Sequence, residues 1–177
     1  IKMCESYFNQ YGSNFFSIMP TNLYGPNDNY DLDNSHVLPA LIRKIHEAKL
    51  NNLDKVTIWG SGIALRDFMH VDDVAKAALF IMQLSFKNFY DKGISHLNAG
   101  TGVEISIGDL VAIIAKKLNF KGKIEYDSSK PDGTLRKIMD SSRLIHLGWK
   151  TSISIEDGID LTYQSFLKEY KNKWSKK

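Results

Sequence analysis

The sequence predicts an α/β fold, and three features of its hydrophobic pattern lead to that expectation. Short apolar runs of the kind found in buried strands recur along the chain. Longer segments with apolar residues at helical spacing lie between these runs. Clusters of glycine, proline and asparagine separate the two kinds of segment. Strands that alternate with helices in this way are typical of α/β proteins.

The first half of the chain is predicted to begin with a helix that stops at Gly12 and a strand over residues 15–19. The polar segment 20–34 follows, and it is too long for a plain connection. This segment is interpreted equally well as a functional loop or as a surface excursion. The later elements of this half are a helix over 36–50, a strand over 56–59, a strand-like segment over 65–71 and a helix from Asp72 and Asp73 to Leu84.

The second half continues the alternation of strands and helices. A strand is predicted over 94–99, and Ser106 caps the next helix, with Asp109 in the position of a capping box. The remaining elements are a strand over 123–127, a loop over 128–135, a short helix within 138–147 and a helix from Ser154. The buried stripe of that last helix is predicted at Ile159, Tyr163, Phe166, Leu167, Tyr170 and Trp174.

Composition excludes several classes of function. The net charge of the 177 residues is +3, but five lysines lie at 168–177, so we expect no nucleic-acid partner. The single cysteine, Cys4, excludes an internal disulfide and a cysteine-based zinc site, and it fits a reducing cytoplasm. No apolar stretch approaches the ~20 residues of a membrane helix, so we expect no membrane partner. Because the chain begins inside a helical pattern without an initiator methionine, we expect an upstream portion to be missing.

Most of the remaining motifs are interpreted as structural. The Gly-x-Gly stretches at Gly60 and Gly100 lack the third glycine of a dinucleotide fingerprint and are predicted to be turns. The five histidines show no metal-ligand spacing, so no metal is expected, and most tryptophans and tyrosines fall at core positions. Arg66 is different, because two interpretations fit it equally well. Its guanidinium could hold a phosphate, or it could form an ion pair with Asp67 or Asp72.

Several motifs that follow one another along the chain indicate a more specific family. The motifs are MPTNLYGP at 19–26, SHVLPAL at 35–41, WGSG at 59–62, RDFMHVDD at 66–73, NAGTG at 98–102 and SKPDGTLRK at 129–137. Together they resemble the second half of the GDP-L-fucose synthase family, which belongs to the extended short-chain dehydrogenases, and the resemblance covers essentially all 177 residues.

The resemblance implies the C-terminal part of an extended short-chain dehydrogenase, with the end of a Rossmann parallel sheet and a smaller α/β substrate-binding domain. Residues 1–25 would end the NADP-binding domain. Residues 26–177 would mainly bind the nucleotide sugar, with a segment at about 65–105 returning to the Rossmann domain. The implied activity is NADPH-dependent epimerisation and reduction of GDP-4-keto-6-deoxy-D-mannose to GDP-L-fucose, in a cytoplasmic homodimer.

The resemblance also implies roles for individual residues. Pro20, Thr21, Asn22 and Leu23 would line the nicotinamide end of NADP(H), and His36 would contact the cofactor and act as the acid in epimerisation. The GDP-sugar would be held by Lys44, Trp59, Arg66 and Asp132. The Gly-rich loop, the catalytic serine, the Tyr-x-x-x-Lys pair and the epimerase cysteine of the family would all lie upstream of Ile1.

Three readings of the function follow from these observations. The preferred reading is the C-terminal portion of a GDP-L-fucose synthase, which we expect to be inactive without the missing N-terminal half. A second is another nucleotide-sugar epimerase or reductase of the same superfamily. A third is a non-catalytic module that binds nucleotide sugars.

Overall fold

The computed structural model describes residues 1–173, and Trp174, predicted on the last helical stripe, lies outside that range. The α/β expectation is confirmed, because helices alternate with strands along the described chain. The helices are α1 (Lys2–Tyr11), α2 (Val37–Leu50), α3 (Val71–Met82), α4 (Phe86–Tyr90), α5 (Ile107–Lys117), α6 (Ser142–His146) and α7 (Ile155–Lys173). The strands are β1 (Ser17–Pro20), β2 (Asn22–Tyr24), β3 (Lys55–Trp59), β4 (Leu65–Arg66), β5 (Phe68–His70), β6 (His96–Ala99), β7 (Ile105–Ser106), β8 (Lys123–Asp127) and β9 (Arg136–Lys137).

Strand pairing is mostly parallel and joins parts of the chain that are distant in sequence. β1 pairs with β6, β2 with β5, and β3 with β8, each in parallel. The short strand β4 lies between β7, which is antiparallel to it, and β9, which is parallel. Parallel neighbours need a crossover between them, and the helices supply it.

Two hydrophobic clusters hold these elements together. The larger cluster packs α2, α5 and α7 against β3, and its most buried members include Ile42, Ile45, Ile114, Ile159 and Phe166. The smaller cluster packs α3, α4 and α6 around β5 and β6, with Met69, Ala77, Leu97, Ala99 and Leu144 at its centre. Each of the longer helices turns one apolar face inward, which is the pattern that the spacing of their apolar residues predicts.

The structure corrects the sequence prediction in three places. The predicted loop 20–34 contains a strand, β2, and the strand predicted over 15–19 instead spans Ser17–Pro20. The helix α4 was not predicted, because five residues are too few to show a helical period. Trp59 is 68% exposed, so the general placement of tryptophans in the core is wrong for this one.

The predicted helix starts are confirmed in their hydrogen bonds. The Ser106 hydroxyl accepts from the Asp109 amide at 2.9 Å and donates to the Asp109 carboxylate at 2.6 Å. Ser154 and Asp157 repeat the arrangement at the start of α7, at 3.1 and 2.7 Å. Each pair satisfies an amide that a helix terminus leaves without a partner.

Candidate functional site

A cavity of about 520 Å³ opens where β1 and β2 meet the start of α2. β1 pairs with β6 and β2 with β5, so the chain changes its neighbouring strand at Thr21, whose amide donates to the Ala99 carbonyl at 2.9 Å. Ligands of α/β proteins bind at such switch points. All five residues predicted to line a cofactor site border this cavity, namely Pro20, Thr21, Asn22, Leu23 and His36.

Asp67 holds two residues of the cavity wall in place through hydrogen bonds. The residue is fully buried, and its carbonyl accepts from the Thr21 hydroxyl at 3.0 Å and from the Asn22 side-chain amide at 2.7 Å. Its carboxylate accepts from the Thr101 amide at 3.0 Å and from the Thr101 hydroxyl at 2.6 Å. Burial raises the pKa of Asp67, and the Thr101 hydrogen bonds oppose that rise.

The tight turn at Gly100 allows this arrangement. A β-carbon on Gly100 would lie 2.4 Å from Oδ2 of Asp67, so a larger residue would push the carboxylate away. The Gly-x-Gly stretch that begins here is therefore a turn, as predicted. The sequence analysis did not identify Asp67 as the centre of this network. The feature that could have identified it is a carboxylate directly before the apolar residues of β5.

The hydrogen bonds to Asp67 restrict the side chains of Thr21 and Asn22. The Thr21 hydroxyl and one N–H of the Asn22 side-chain amide donate to the Asp67 carbonyl, so both side chains are fixed in the wall of the cavity. Pro20 and Leu23 contribute apolar surface to the same wall. The wall is thus suited to a flat, largely apolar ring.

The loop before α2 is held in place from within. Tyr30 is 1% exposed, its hydroxyl donates to the Thr162 carbonyl at 3.3 Å, and its own carbonyl accepts from Arg43 at 3.1 Å. Asp31 adds a turn, because Oδ1 of its carboxylate accepts from the amides of Asp33 and Asn34. The loop is therefore an ordered wall of the cavity and not a loose surface excursion.

His36 sits at the end of this loop and at the N-terminus of α2. The residue is exposed, and its side chain makes no capping hydrogen bond to the helix. Both ring nitrogens lack a hydrogen-bond partner within residues 1–173, which leaves the imidazole available to a ligand in the cavity. Asp28 borders the same cavity, and burial raises the pKa of its carboxyl while the charge of His36 acts against that rise.

The other four predicted residues do not border the cavity, and Lys44 is the one of them that lies over the indole of Trp59. This side chain is exposed at the end of β3, and Nζ of Lys44 lies 5.7 Å from the centre of its ring. Burial without a compensating anion lowers the pKa of Lys44. Lys130, which sequence reasoning did not select, also lies over the ring, with Nζ at 5.6 Å.

Asp132 connects the 128–135 loop to the turn that follows β3. Its carboxylate accepts from the Ser61 amide at 2.6 Å and from the Ser61 hydroxyl at 2.8 Å, and these bonds lower its pKa. They fasten the 128–135 loop to the turn at Gly60 and Gly62, both of which have positive φ. The structure therefore confirms this turn and shows an Asp132 carboxylate that is already engaged.

The ion pair considered for Arg66 is absent from the described part of the chain. Asp67 is occupied by Thr101, and Asp72 instead approaches His70, with Oδ2 at 3.6 Å from Nδ1. The only hydrogen bond that the structure shows for the Arg66 guanidinium within residues 1–173 goes to the Leu65 carbonyl, at 2.7 Å. The guanidinium therefore keeps most of its donors free for a phosphate.

His70 is a buried histidine with an unpaired nitrogen. Its Nδ1 accepts from the Asp72 amide at 3.2 Å, so the ring proton is on Nε2, and Nε2 is buried without a partner in the described structure. Burial lowers the pKa of His70. The ring therefore stays neutral in the folded chain and serves as the N-cap of α3.

The lowered pKa of His70 predicts a loss of stability in mild acid. Below about pH 6.5 the unfolded chain takes up a proton that the folded chain resists, so folding weakens as the pH falls. We expect the free energy of unfolding to drop between pH 7.5 and 5.5, with His70 contributing up to about 1 kcal/mol. Urea unfolding at the two pH values measures this drop. His70→Asn keeps a capping acceptor without a titrating group, and an unchanged pH dependence in that variant would contradict the assignment.

Two kinds of feature are absent from residues 1–173. No helix in this range is long and apolar enough to cross a membrane. No group of three or more histidine, cysteine, aspartate or glutamate side chains in the same range could hold a metal ion.

Comparison with known proteins extends this picture. The sequence pattern of the NAD dependent epimerase/dehydratase family matches residues 1–92. A GDP-L-fucose synthase of Escherichia coli K12 is 50% identical over 94% of the chain and 53% of its own length, so the predicted similarity is confirmed. The chain spans about half the length of the curated relatives it matches.

Solved structures give the same result for the fold. A GDP-L-fucose synthetase from Naegleria fowleri bound to NADP is 30% identical with a TM-score of 0.81, over 96% of this chain and 53% of that one. A GDP-mannoheptose C4 reductase from Campylobacter jejuni with NADP bound is 37% identical with a TM-score of 0.80, over 94% of this chain and 54% of that one.

Proposed function

The chain belongs to the NAD dependent epimerase/dehydratase family, and on this premise we propose that it is the substrate-binding portion of a GDP-L-fucose synthase. The complete protein would convert GDP-4-keto-6-deoxy-D-mannose to GDP-L-fucose with NADPH. The observation that carries this proposal is the cavity at Thr21, which gathers the free imidazole of His36 and the wall from Pro20 to Leu23. The similarity to relatives of that name supports the choice of substrate.

NADPH would supply the hydride that reduces the C4 ketone. The apolar surfaces of Pro20 and Leu23 fit the nicotinamide ring, while Thr21 and Asn22 fix the shape of the wall through Asp67. The residues present fit only this end of the cofactor. The phosphates would need a glycine-rich loop at a helix N-terminus, which would come from the rest of the complete protein.

His36 would deliver a proton during epimerisation. The C4 ketone acidifies the hydrogens on C3 and C5, so a base on one face and an acid on the other can invert both centres. An imidazole can donate a proton near neutral pH, and His36 borders the cavity without a hydrogen bond that would hold its ring. A tyrosine and a cysteine from the rest of the complete protein would provide the other proton transfers.

The nucleotide would lie toward Trp59. Lys44 follows His36 by eight residues on α2, a distance of about 12 Å along the helix axis. Arg66 precedes Phe68, a residue of the cavity wall, by two positions. A sugar in the cavity and a diphosphate at Arg66 and Lys44 would therefore place the base near the exposed indole, with Asp132 fixing the neighbouring loop.

The domain division and the assembly belong to the same proposal. Residues 1–25 and about 65–105 would complete the cofactor domain, and the rest of 26–177 would form the substrate domain. The two hydrophobic clusters support this division in part, because the smaller one also includes Leu144 and Trp149 and the larger one also includes Tyr24 and Phe68. A homodimer is supported by α1, which buries no residue and exposes Met3, Tyr7 and Tyr11. The single cysteine supports a cytoplasmic location.

The proposal predicts that activity needs both halves. The 177-residue chain alone should show no reductase activity and weak NADPH affinity, because the phosphate-binding loop is not part of it. The same chain joined to the remaining half should oxidise NADPH in the presence of GDP-4-keto-6-deoxy-D-mannose and release GDP-L-fucose. Absorbance at the NADPH band and NMR of the sugar product measure both steps. Sub-micromolar NADPH binding by the chain alone would contradict this assignment.

One related enzyme activity remains a specific alternative. The similarity to a GDP-mannoheptose C4 reductase makes a GDP-heptose a second candidate substrate. Parallel assays with the two keto sugars distinguish the candidates. A complete protein that binds the nucleotide sugar but never oxidises NADPH would favour a non-catalytic module.

A further inference from the structure

Lys130 lies over the indole of Trp59 and belongs to the SKPDGTLRK motif, but nothing in the sequence assigned it a role. It lies in the 128–135 loop, 71 positions after the tryptophan, yet its ammonium nitrogen lies 5.6 Å from the centre of the indole ring. The side chain is exposed and forms no salt bridge within residues 1–173. A long, exposed lysine placed over a ring needs an explanation, because ordering it costs conformational entropy.

The loop holds Lys130 from both sides. Upstream, the Asp127 carboxylate accepts from the Ser129 amide at 3.0 Å and from the Ser129 hydroxyl at 2.5 Å. Downstream, Asp132 accepts from Ser61 at 2.6 and 2.8 Å. Pro131 restricts the backbone of Lys130 directly. The lysine therefore stands on a fixed segment next to Trp59.

Two lysines lie over this ring, and Arg66 lies beside the loop that carries one of them. Lys44, Lys130 and Arg66 make no ion pair in the described residues, and Lys44 is half-buried. Arg66 lies beside the same loop, since a β-carbon on Gly133 would be 4.0 Å from its Nη2. The Asp127 carboxylate acts on Lys130 but forms no ion pair with it within residues 1–173. Positive charge without an ion pair beside an exposed aromatic face matches a ligand that carries both an anion and a flat ring.

We infer that Lys130 is a further nucleotide-binding residue, whose ammonium group leaves the indole when a base stacks there and pairs with the diphosphate. The inference rests on the proposed function for its ligand, a guanosine diphosphate group. The cation–π contact is weak at an exposed site, so the ring can exchange the ammonium group for a base. The fixed loop keeps the displaced ammonium group within reach of the phosphates.

The test compares Lys130→Ala, Lys130→Arg and Lys121→Ala in the complete protein that contains this chain. Lys121 is a matched control, because it is exposed and precedes β8, whereas Lys130 follows the other end of that strand. Calorimetric titrations with GDP, GMP and guanosine give the affinities at two salt concentrations. We expect Lys130→Ala to weaken GDP binding about five- to tenfold and guanosine binding less than twofold.

The remaining outcomes separate charge from packing. Lys130→Arg should retain GDP affinity within about twofold, and Lys121→Ala should match the parent protein. In Lys130→Ala the salt dependence of GDP binding should be shallower. Equal losses for GDP and guanosine would show that the lysine only supports the ring, and equal GDP affinities in Lys130→Ala and Lys121→Ala would overturn the inference.

A further variant, Arg66→Ala, distinguishes a failure of the Lys130 role from a failure of the proposed nucleotide site. If Arg66→Ala weakens GDP binding and Lys130→Ala does not, the nucleotide site stands and the role of Lys130 is wrong. If the parent protein binds no GDP at millimolar concentration, both the nucleotide site and the inference are wrong.

Discussion

Replacing His36 with asparagine should reduce turnover of the complete enzyme by roughly 10²–10⁴-fold, the range typical of general acid–base groups. The imidazole borders the cavity without a capping hydrogen bond to α2, so its loss should remove a proton donor without unfolding the helix. NADPH affinity should change by less than about tenfold, because the wall from Pro20 to Leu23 is held by Asp67 and not by His36.

The product reports which step depends on His36. Slow residual reduction in His36→Asn should release a GDP-6-deoxyhexose that has not been inverted at both C3 and C5, which NMR of the sugar detects. His146→Asn is a suitable control, because His146 is an exposed histidine on α6 outside the cavity. Formation of GDP-L-fucose at the parental rate by His36→Asn would end the assignment of His36 as the acid.

The long helices could be predicted from the sequence because their signal is local. In α2, α5 and α7 the apolar residues recur along one face, and the Ser106–Asp109 and Ser154–Asp157 pairs mark two helix starts. β2 could not be predicted, because Pro20, Thr21 and Asn22 have the composition of a turn. Its strand geometry comes from pairing with β5, in which Asn22 faces Phe68, a residue 46 positions later.

The candidate site shows the same division between local and distant contacts. Pro20 to Leu23 and His36 are close in sequence, so a single motif-rich stretch pointed to the cavity that they share. Asp67 holds Thr21 across 46 positions and Thr101 across 34, and Lys130 reaches Trp59 across 71. Sequence shows the chemical type of such residues, but only the folded chain shows which partners use them.

For Arg66 the structure bears on one of the two interpretations that the sequence left open, the ion pair. An ion pair with Asp67 or Asp72 was one reading, and a phosphate contact was the other. Both carboxylates have other neighbours in the folded chain, namely Thr101 for Asp67 and His70 for Asp72. A guanidinium whose single hydrogen bond within residues 1–173 goes to the Leu65 carbonyl has donors left for the phosphate contact that we propose.

Arg66→Ala should accordingly weaken GDP and the GDP-sugar by roughly 10- to 100-fold, since a charge-assisted bidentate contact contributes on the order of 1.5–3 kcal/mol. NADPH affinity of the complete enzyme should stay within about twofold, because the guanidinium lies outside the cavity wall. The inhibition constant of GDP against the GDP-sugar measures the first effect, and an NADPH titration measures the second. Arg66→Lys should restore part of the loss, because a lysine supplies the charge without the fork of donors.

Arg136→Ala is the matched control for this experiment. Arg136 lies on β9, paired in register with Leu65 on β4, but its guanidinium is bound to Glu104. Its loss removes the same charge from a neighbouring strand, so a general electrostatic effect would weaken GDP binding equally in Arg136→Ala and Arg66→Ala. A specific phosphate contact predicts that only Arg66→Ala raises the inhibition constant. An unchanged constant in Arg66→Ala would show that this arginine does not hold the diphosphate, and the nucleotide would then depend on Lys44, Lys130 and Trp59.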